Sequence, residues 1–201
     1  MKYEILEEFL QLGWNVLLSD VDIVTVQDPM DFLHRDSDVE GMSDGYDDLT
    51  AYGAIYGVDD ESMGWSRYAQ GTQHMALNSG LFYLKANERT IALMQNIYKR
   101  LRKENAWDQS VYNEEIFFLT HGPVKRAQVS VRVMESEKFM NSKVLFKRIR
   151  KLPRSRQPLP VMVHMNFHPD KTERMEAAIR YYLKGDQDAL KRFPGGSEPG
   201  T

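Results

Sequence analysis

Two aspartates one residue apart follow a short apolar run, and their spacing is the strongest chemical signal in the sequence. The stretch NVLLSDVDIVTVQDP contains Asp20 and Asp22. Alternate residues of a strand share a face, so both carboxylates project together if the strand continues that far. Two carboxylates so close repel each other unless a cation neutralises them, and oxygen ligands suit Mg²⁺ or Mn²⁺. The alternative is a solvated loop in which the aspartates form turns.

A second group of candidate ligands lies late in the chain, in the stretch VHMNFHPDK. Ligands of open α/β sheets collect at the carboxyl ends of strands, so His164 can complete a metal site with Asp22. Lys171 can meet a phosphate at the start of a helix. The alternative is a core histidine at position 164, with His168 exposed and Lys171 solvated.

The stretch LNSGLF offers groups that suit a sugar. Asn78 and Ser79 carry short polar side chains that can hydrogen-bond to hydroxyls. Gly80 allows a ligand to approach the backbone closely. The alternative is an ordinary turn before a strand.

The stretch WDQ offers an apolar ring and two side chains that can form hydrogen bonds. The indole of Trp107 can carry a sugar ring, while Asp108 and Gln109 can hold its hydroxyls. The alternative is a core tryptophan followed by an aspartate that caps a helix.

The elements that must position these residues alternate between strands and helices, which predicts an α/β domain. A helix with Ile5, Leu6, Phe9 and Leu10 on one face stops at Gly13. Asn87 is expected to cap a helix that runs to about Arg102, and Gly185 to close the last helix. The acidic stretch from residue 36 to 64 is interpreted as a long loop. Strands are predicted at 16–18, 81–84, 129–134 and 160–165, and further helices at 106–118 and 171–185.

Composition excludes several classes of function. The chain has 201 residues, enough for one domain with a sizeable core, and a net charge of -3 that predicts no general attraction to nucleic acid. Cysteine is absent, which excludes disulfides and thiolate chemistry in this chain. No apolar run is long enough for a membrane span, and no secretory leader is recognisable. The tail of residues 195–201 is rich in proline and glycine and is expected to be disordered.

Taken together, these motifs resemble a known family. The order of DxD, NSG, WDQ and a late histidine and lysine resembles the nucleotide-diphospho-sugar transferases of the GT-A type, which have a Rossmann-like α/β fold. The closer resemblance is to the plant and algal branch of glycosyltransferase family 77 that extends arabinose chains on extensins. The blocks that carry it include LLSDVDIVTVQDP, RDSDVEGMSDG, MGWSRYA, NSGLFY, AWDQSVYNEEIFF, FMNSKVLFK and VHMNFHPDKTERM.

The resemblance implies roles for the candidate residues. It implies a retaining glycosyltransferase that moves a sugar, L-arabinofuranose in the nearest branch, from a UDP-sugar to a glycan or hydroxyproline-rich glycoprotein. Asp108 is then a nucleophile, or Gln109 stabilises an oxocarbenium-like state; these alternatives stay open. The implied metal ligands for Mn²⁺ or Mg²⁺ are Asp20, Asp22, His164 and, less securely, His168. Asp20 is also implied to face the ribose of the donor, and Lys171 the leaving diphosphate. The implied contacts to the donor sugar are Asn78, Ser79, Gly80, Trp107 and Asp108.

The resemblance also carries expectations about what lies outside this sequence. The family has further strands before the DxD strand, a membrane anchor and a place in the Golgi lumen. Residues 1–194 are therefore interpreted as the carboxyl-terminal part of a GT-A domain that lacks its first strands. An incomplete, inactive fragment that acts only in binding is the non-enzymatic alternative.

A haloacid-dehalogenase-like phosphatase is the rival enzyme class. There Asp20 is the nucleophile and Asp22 the general acid. That class also needs an acidic pair after a second apolar strand. The pairs at residues 47–48 and 59–60 follow no recognisable apolar strand, and the NSG and WDQ stretches go unexplained.

Overall fold

The computed structural model describes residues 1–52, 54–56, 71–73 and 76–195, and it confirms the predicted α/β class. Helices are interspersed among groups of two or three consecutive strands. The helices are α1 (Lys2–Gln11), α2 (Asp48–Tyr52), α3 (Glu88–Leu101), α4 (Asp108–Phe117) and α5 (Lys171–Leu183). The strands are β1 (Val16–Ser19), β2 (Ile23–Thr25), β3 (Val39–Ser43), β4 (Ala54–Tyr56), β5 (Gly71–Gln73), β6 (Leu77–Leu84), β7 (Val131–Val133), β8 (Phe139–Asn141) and β9 (Met162–His164).

The larger sheet has the strand order β1-β6-β3-β7. Strand β6 is antiparallel to both β1 and β3, whereas β3 and β7 are parallel. Every residue of β3 and β6 is buried. Helices α1, α3 and α4 share one apolar core with this sheet, formed around residues such as Leu6, Leu93, Val111 and Phe82. The sheet therefore fixes the start of β6, where the NSG stretch lies.

The smaller sheet has the order β2-β9-β8, with β9 antiparallel to β2 and parallel to β8. Its core includes Val24, Met140 and Val163 and the buried face of α5. Strands β4 and β5 form a separate antiparallel pair. The chain passes from the larger sheet to the smaller one between β1 and β2, and this passage carries the two aspartates of the DxD stretch.

Local signals placed several elements correctly. Asn87 caps α3 and forms a reciprocal capping box with Thr90, as short polar side chains do at helix starts. Gly13 and Gly185 follow helices with φ of 83° and 75°, a conformation that glycine adopts without strain. The predicted strands at residues 16–18, 81–84, 129–134 and 160–165 are confirmed, although β1 is half-buried at a sheet edge and β6 begins earlier, at Leu77.

Two of the predictions about local structure were wrong. The buried face of α1 consists of Tyr3, Leu6 and Leu10, while Ile5 and Phe9 are 45% and 49% exposed. This face is selected because α1 packs against α3 and reaches the cleft through its first turn. The predicted loop from residue 36 to 64 contains the central strand β3, helix α2 and strand β4; its residues 57–64 lie outside the described part.

Three further expectations concern membranes, the tail and chain organisation. Within the described residues, every helix is too short or too polar to cross a bilayer. The predicted tail lies outside the described residues apart from Gly195, and so does the MGWSRYA block. The assignment of residues 1–194 to one domain stays a prediction.

Candidate functional site

The two aspartates of the DxD stretch lie in the passage between the sheets. Strand β1 ends at Ser19, so it does not continue through Asp20 and Asp22, which was the condition for their side chains to share one face of a strand. The backbone N–H of Asp20 donates to the carbonyl of Gly80 at 2.8 Å, and the carbonyl of Asp22 accepts from Met165 N–H at 2.9 Å. One aspartate is thus tied to β6 and the other to the end of β9.

His164 ends β9 and closes this group. Its Nε2 lies 3.0 Å from Oδ1 of Asp22, and the residue is 3% exposed. One ligand atom from each of Asp20, Asp22 and His164 can be chosen so that all three lie within 4.8 Å of one another. Two carboxylates and one imidazole form a donor set that suits a divalent cation such as Mn²⁺ or Mg²⁺.

The electrostatics of the group agree with that donor set. Burial lowers the pKa of His164 in spite of the nearby aspartates, so its imidazole is neutral at neutral pH, the form that binds metals. Burial raises the pKa of Asp22, but the hydrogen bond and the positive charge of Lys171 outweigh it and leave this pKa below its usual value. The site therefore presents ionised oxygen and neutral nitrogen ligands.

Gly80 permits the close packing around this group. A Cβ added there would lie 2.3 Å from Oδ2 of Asp20 and 2.8 Å from Cε1 of His164. Both distances are shorter than any ordinary contact. The glycine of the NSG stretch thus lets β6 run directly beside the three candidate metal ligands.

Lys171 and His168 have different positions relative to the group. Lys171 is the first residue of α5, and its Nζ lies 2.6 Å from Oδ2 of Asp22. His168 is 2% exposed, its Nδ1 lies 2.8 Å from Oγ of Ser142, and its ring packs edge-on against Phe146. The expectation of an exposed His168 was wrong. The structure does not bring His168 into the Asp20–Asp22–His164 group, because the turn after β9 carries it under Phe146.

Asn78 and Ser79 lie within a buried strand and not in a turn. Asn78 donates from Nδ2 to Oδ1 of Asp44 at 2.9 Å, and its Oδ1 accepts from Gly80 N–H at 2.8 Å. The backbone N–H of Ser79 donates to Oε1 of Gln109 at 3.2 Å. These bonds fix the orientation of the Asn78 and Gln109 amides beside the cleft.

The WDQ stretch begins α4 and faces the NSG stretch. Asp108 is the first residue of α4, and its Oδ2 accepts from Lys2 Nζ at 2.6 Å, from the Tyr3 hydroxyl at 3.3 Å and from Oγ of Ser79 at 3.4 Å. Burial and the neighbouring Asp108 carboxylate raise the pKa of Tyr3, which keeps its hydroxyl protonated as a donor.

Trp107 is 65% exposed, so it is not a core tryptophan. It lies immediately before α4 and takes the cap position without a side-chain cap bond. Its indole borders the cleft, where an exposed apolar ring can contact a ligand.

Sequence reasoning missed Asp44, which is central to the site. Its Oδ1 accepts from Asn78 and from Asn166 Nδ2 at 2.8 Å, and its Oδ2 accepts from Gln109 Nε2 at 2.7 Å. Asp44 follows β3 directly, and a polar residue at the end of a buried strand was the available signal. Interpreting residues 36–64 as a loop hid that signal.

Two further residues at the cleft were not singled out by the sequence analysis. Lys2, in the first turn of α1, and Phe167, in the turn after β9, both border it. Their positions depend on contacts between segments far apart in sequence.

These side chains surround one cleft of about 450 Å³, within the range of small-molecule sites. Both sheets and helices α1, α4 and α5 contribute to it. The lining residues are Lys2, Asp20, Asp22, Asp44, Asn78, Ser79, Gly80, Trp107, Asp108, Gln109, His164, Asn166, Phe167 and Lys171. Of the residues predicted from sequence, only His168 is absent from this lining.

The rival acidic pair at residues 47–48 lies outside that lining. Its position after β3 means that a buried strand does precede it, contrary to the sequence interpretation. Asp47 nevertheless accepts hydrogen bonds from the backbone and hydroxyl of Thr50 at the start of α2. It serves a local capping role and gives no support to a phosphatase site. The pair at residues 59–60 lies outside the described residues.

Comparisons with known proteins agree with the geometry. The sequence matches the family described as nucleotide-diphospho-sugar transferase over residues 1–177. It is 51% identical over 198 residues to arabinosyltransferase RRA2 of Arabidopsis thaliana, covering 98% of this chain and 46% of that protein. It is 48% identical over 197 residues to arabinosyltransferase RRA1 of the same plant, covering 98% and 49%. The chain thus spans about half the length of the curated relatives it matches, and the resemblance drawn from the sequence motifs is confirmed.

Proposed function

Because the chain belongs to the nucleotide-diphospho-sugar transferase family, we propose that it forms the metal- and donor-sugar-binding side of an arabinosyltransferase. The observation that carries this proposal is the meeting of three candidate metal ligands with a set of fixed carboxylates and amides in one cleft. The first part suits a diphosphate and the second suits a sugar.

The substrates are proposed on the similarity to the curated relatives. The donor is UDP-L-arabinofuranose, and the acceptor is a glycan or a hydroxyproline-rich glycoprotein of the cell wall. Transfer proceeds with retention in the lumen of the Golgi. The names of the two Arabidopsis thaliana relatives support the arabinosyl group. The remaining details follow the family resemblance drawn from the DxD, NSG and WDQ stretches.

The diphosphate end of the cleft consists of Asp20, Asp22, His164 and Lys171. A divalent cation held by the first three would neutralise the diphosphate and favour its departure. Lys171 is 44% exposed and its ammonium lies on Asp22, so it can turn toward an incoming phosphate oxygen. Placing positive charge where negative charge develops is commonly the largest catalytic contribution.

The sugar end consists of side chains whose hydrogen bonds to one another fix their directions. Asp44 holds the amides of Asn78, Gln109 and Asn166, and each amide nitrogen has a second N–H that can serve a ligand hydroxyl. Pre-oriented donors of this kind reduce the entropy lost on binding. The exposed Trp107 provides an apolar contact at the edge of the cleft.

Asp108 and Gln109 divide the roles near the anomeric carbon. The carbonyl oxygen of Gln109 already accepts from Ser79 N–H, so this side chain acts as a fixed amide donor. Asp108 is a carboxylate with all three of its side-chain hydrogen bonds on Oδ2. It is therefore the group better suited to face developing positive charge, as a nucleophile or as an electrostatic partner.

Calorimetric titration of UDP in the presence of Mn²⁺ tests the diphosphate end directly. We expect binding that is lost with EDTA and weakened at least about tenfold by Asp22→Ala. Asp31→Ala is the matched control, because Asp31 is an exposed carboxylate outside the cleft. Binding that is independent of Mn²⁺, or equal in both variants, would contradict the metal site.

Transfer assays with UDP-sugars then test the activity. Radiolabelled arabinose should pass from UDP-arabinofuranose to a hydroxyproline-rich peptide, and Asp108→Asn should abolish the transfer without weakening UDP binding. UDP binding by a folded chain that transfers no sugar would favour the binding-only alternative.

A further inference from the structure

A basic segment runs from Lys138 to Pro169, and its lysines and arginines are different residues from Lys171 at the proposed diphosphate end of the cleft. It contains eight lysine and arginine residues and no aspartate or glutamate, in a chain with 26 basic and 29 acidic residues. Six of the eight lie between Lys147 and Arg156. So one-sided a segment in an otherwise acidic chain creates a local positive potential, unless carboxylates from elsewhere in the fold neutralise it.

The fold leaves the lysines and arginines between positions 150 and 156 without carboxylate partners. Arg148 pairs with Glu137 at 2.7 Å. Among the described residues, no ion pair involves Arg150, Lys151, Arg154 or Arg156. These four residues are called the basic face.

Arg150 anchors the basic face to the end of the chain. It donates to the carbonyls of Leu190 and Phe193 at 2.7 and 2.5 Å. Burial and the neighbouring Arg174 lower the pKa of Arg150, as expected for a guanidinium without a carboxylate partner. Carbonyl acceptors hold this side chain in place but leave its charge uncancelled.

The basic face lies on one surface with the end of α5. The guanidinium of Arg154 lies 4.5 Å from the ring centroid of Tyr181, whose hydroxyl donates to Oε1 of Gln157 at 2.5 Å. A shallow cavity of about 260 Å³ opens there, lined by Arg150, Lys151, Tyr181, Gln187, Leu190 and Lys191. Arg150 and Lys151 therefore line this cavity, and Arg154 covers the ring of Tyr181 at its wall.

Exposed leucines accompany these cations. Leu152 and Leu159 flank the exposed arginines in sequence and are 38% and 52% exposed, and Leu183 at the end of α5 is 56% exposed. Cations beside exposed aliphatic side chains are typical of surfaces that bind lipid headgroups and insert apolar groups beneath them. An acidic polysaccharide would use the cations but not the exposed leucines, so the leucines favour a lipid surface.

We propose that the basic face binds a membrane surface that carries anionic lipids. The face lies at the opposite end of α5 from Lys171. Tyr181 is ten residues beyond Lys171 in this helix, which corresponds to a separation of about 15 Å. Membrane contact therefore leaves the cleft open to solvent and to the donor, and this inference stands independently of the proposed activity.

Co-sedimentation of the full chain with vesicles tests the proposal. The vesicles contain phosphatidylcholine alone or phosphatidylcholine with phosphatidylserine. The test variant is the triple charge reversal Lys151→Glu, Arg154→Glu, Arg156→Glu. The matched control reverses three exposed cations at the end of α3 and just beyond it, and so changes the net charge equally: Lys99→Glu, Arg102→Glu, Lys103→Glu.

We expect binding to the vesicles with phosphatidylserine only. The test variant should lower the bound fraction at least about tenfold, and the control variant should leave it within about twofold. Exchanging the two exposed leucines that flank the arginines, Leu152→Ser and Leu159→Ser, should weaken binding by about fivefold, because insertion of their side chains is lost. Circular dichroism of each variant establishes that it is folded.

Three results would overturn the proposal. The first is an absence of binding to vesicles with phosphatidylserine. The second is an equal loss of binding in the test and control variants, which would show attraction by net charge alone. The third is binding to soluble polygalacturonate that competes with vesicles while the leucine exchanges have no effect, which would identify an acidic polysaccharide as the partner.

Discussion

The two ends of β3 each carry an aspartate, and the two carboxylates are held in opposite ways. At the amino end, Asp38 is 3% exposed. It accepts two hydrogen bonds from Arg89 at 2.7 and 2.8 Å, one from Asn87 Nδ2 at 2.8 Å and one from Ser130 N–H at 2.8 Å. A guanidinium and neutral donors together saturate this carboxylate and cancel its charge.

At the carboxyl end, the side-chain partners of Asp44 are all amides. Asn78, Asn166 and Gln109 hold both of its oxygens, and no lysine or arginine of the described residues donates to them. Amides fix the direction of a carboxylate but leave its net charge in place. The first arrangement stabilises the fold, and the second keeps a charged and oriented group available in the cleft.

The largest expected effect comes from breaking the Asp38 end. Asp38→Ala leaves the Ser130 N–H and the Asn87 amide without their acceptor, and each unsatisfied buried donor is costly. We expect a loss of about 3 kcal/mol in the free energy of unfolding. Urea denaturation measures it, and UDP affinity of the folded protein should not change. If the folded variant, without urea, also bound UDP much more weakly, the two ends of β3 would be energetically coupled.

The next effect comes from the Asp44 end. In Asp44→Asn the new amide meets the Gln109 amide, donor against donor, unless Gln109 rotates and abandons Ser79. We expect about a hundredfold loss of kcat/KM for sugar transfer, equivalent to about 2.7 kcal/mol, with a change in unfolding free energy below about 1 kcal/mol. Unchanged transfer by this variant would assign Asp44 to the fold rather than to the site.

The stability contributed by Asp38 should depend on pH, because folding shifts the pKa of this carboxylate. Burial raises the pKa of Asp38, but the hydrogen bonds from Arg89, Ser130 and Asn87 outweigh it and bring this pKa well below the usual value. The resulting stabilisation is present above the unfolded pKa of about 3.9 and is lost as the pH falls through the folded pKa.

The measurement is the free energy of unfolding between neutral pH and the acid limit of folding. Asp38→Asn removes this titration. The unfolding free energy that the variant loses between neutral pH and a pH below the unfolded pKa should therefore be smaller by about 2 kcal/mol. A variant whose stability falls with acid as steeply as that of the natural protein would show that other carboxylates dominate.

The smallest effect is expected at the edge of the Asp44 cleft. Trp107 is exposed, so Trp107→Ala should leave the unfolding free energy within about 0.5 kcal/mol. Loss of the apolar contact should raise KM for the donor about fivefold with little change in kcat. A variant with unaltered KM would place the indole outside the donor site.

Helix ends that depend on local contacts were predictable from the sequence, whereas strand β3 was not. The cap of α3 at Asn87 and the glycine stops at Gly13 and Gly185 depend on contacts within a few residues, so sequence sufficed. Strand β3 was missed because Glu40 lies within it and is 1% exposed. Its carboxylate accepts from the backbone N–H groups of the two residues at positions 34 and 35, and that compensation is not visible in sequence.

The amino-acid sequence was sufficient to predict the α/β class, four of the five α-helices, four of the nine strands that the structure describes, and the residue types from which the cleft is built. The resemblance to the family, carried by the DxD, NSG and WDQ stretches together with longer blocks, is confirmed by the comparisons with known proteins. Which of these residues lie together in the cleft depends on the tertiary packing and could not be established from the sequence. Asp20 and Asp22 lie near His164 because the chain passes from the larger to the smaller sheet between β1 and β2. His168 packs against Phe146 and stays outside this group. Asp44 and Lys2 enter the cleft because β3 and α1 pack beside β6 and α4, through contacts between residues far apart in sequence.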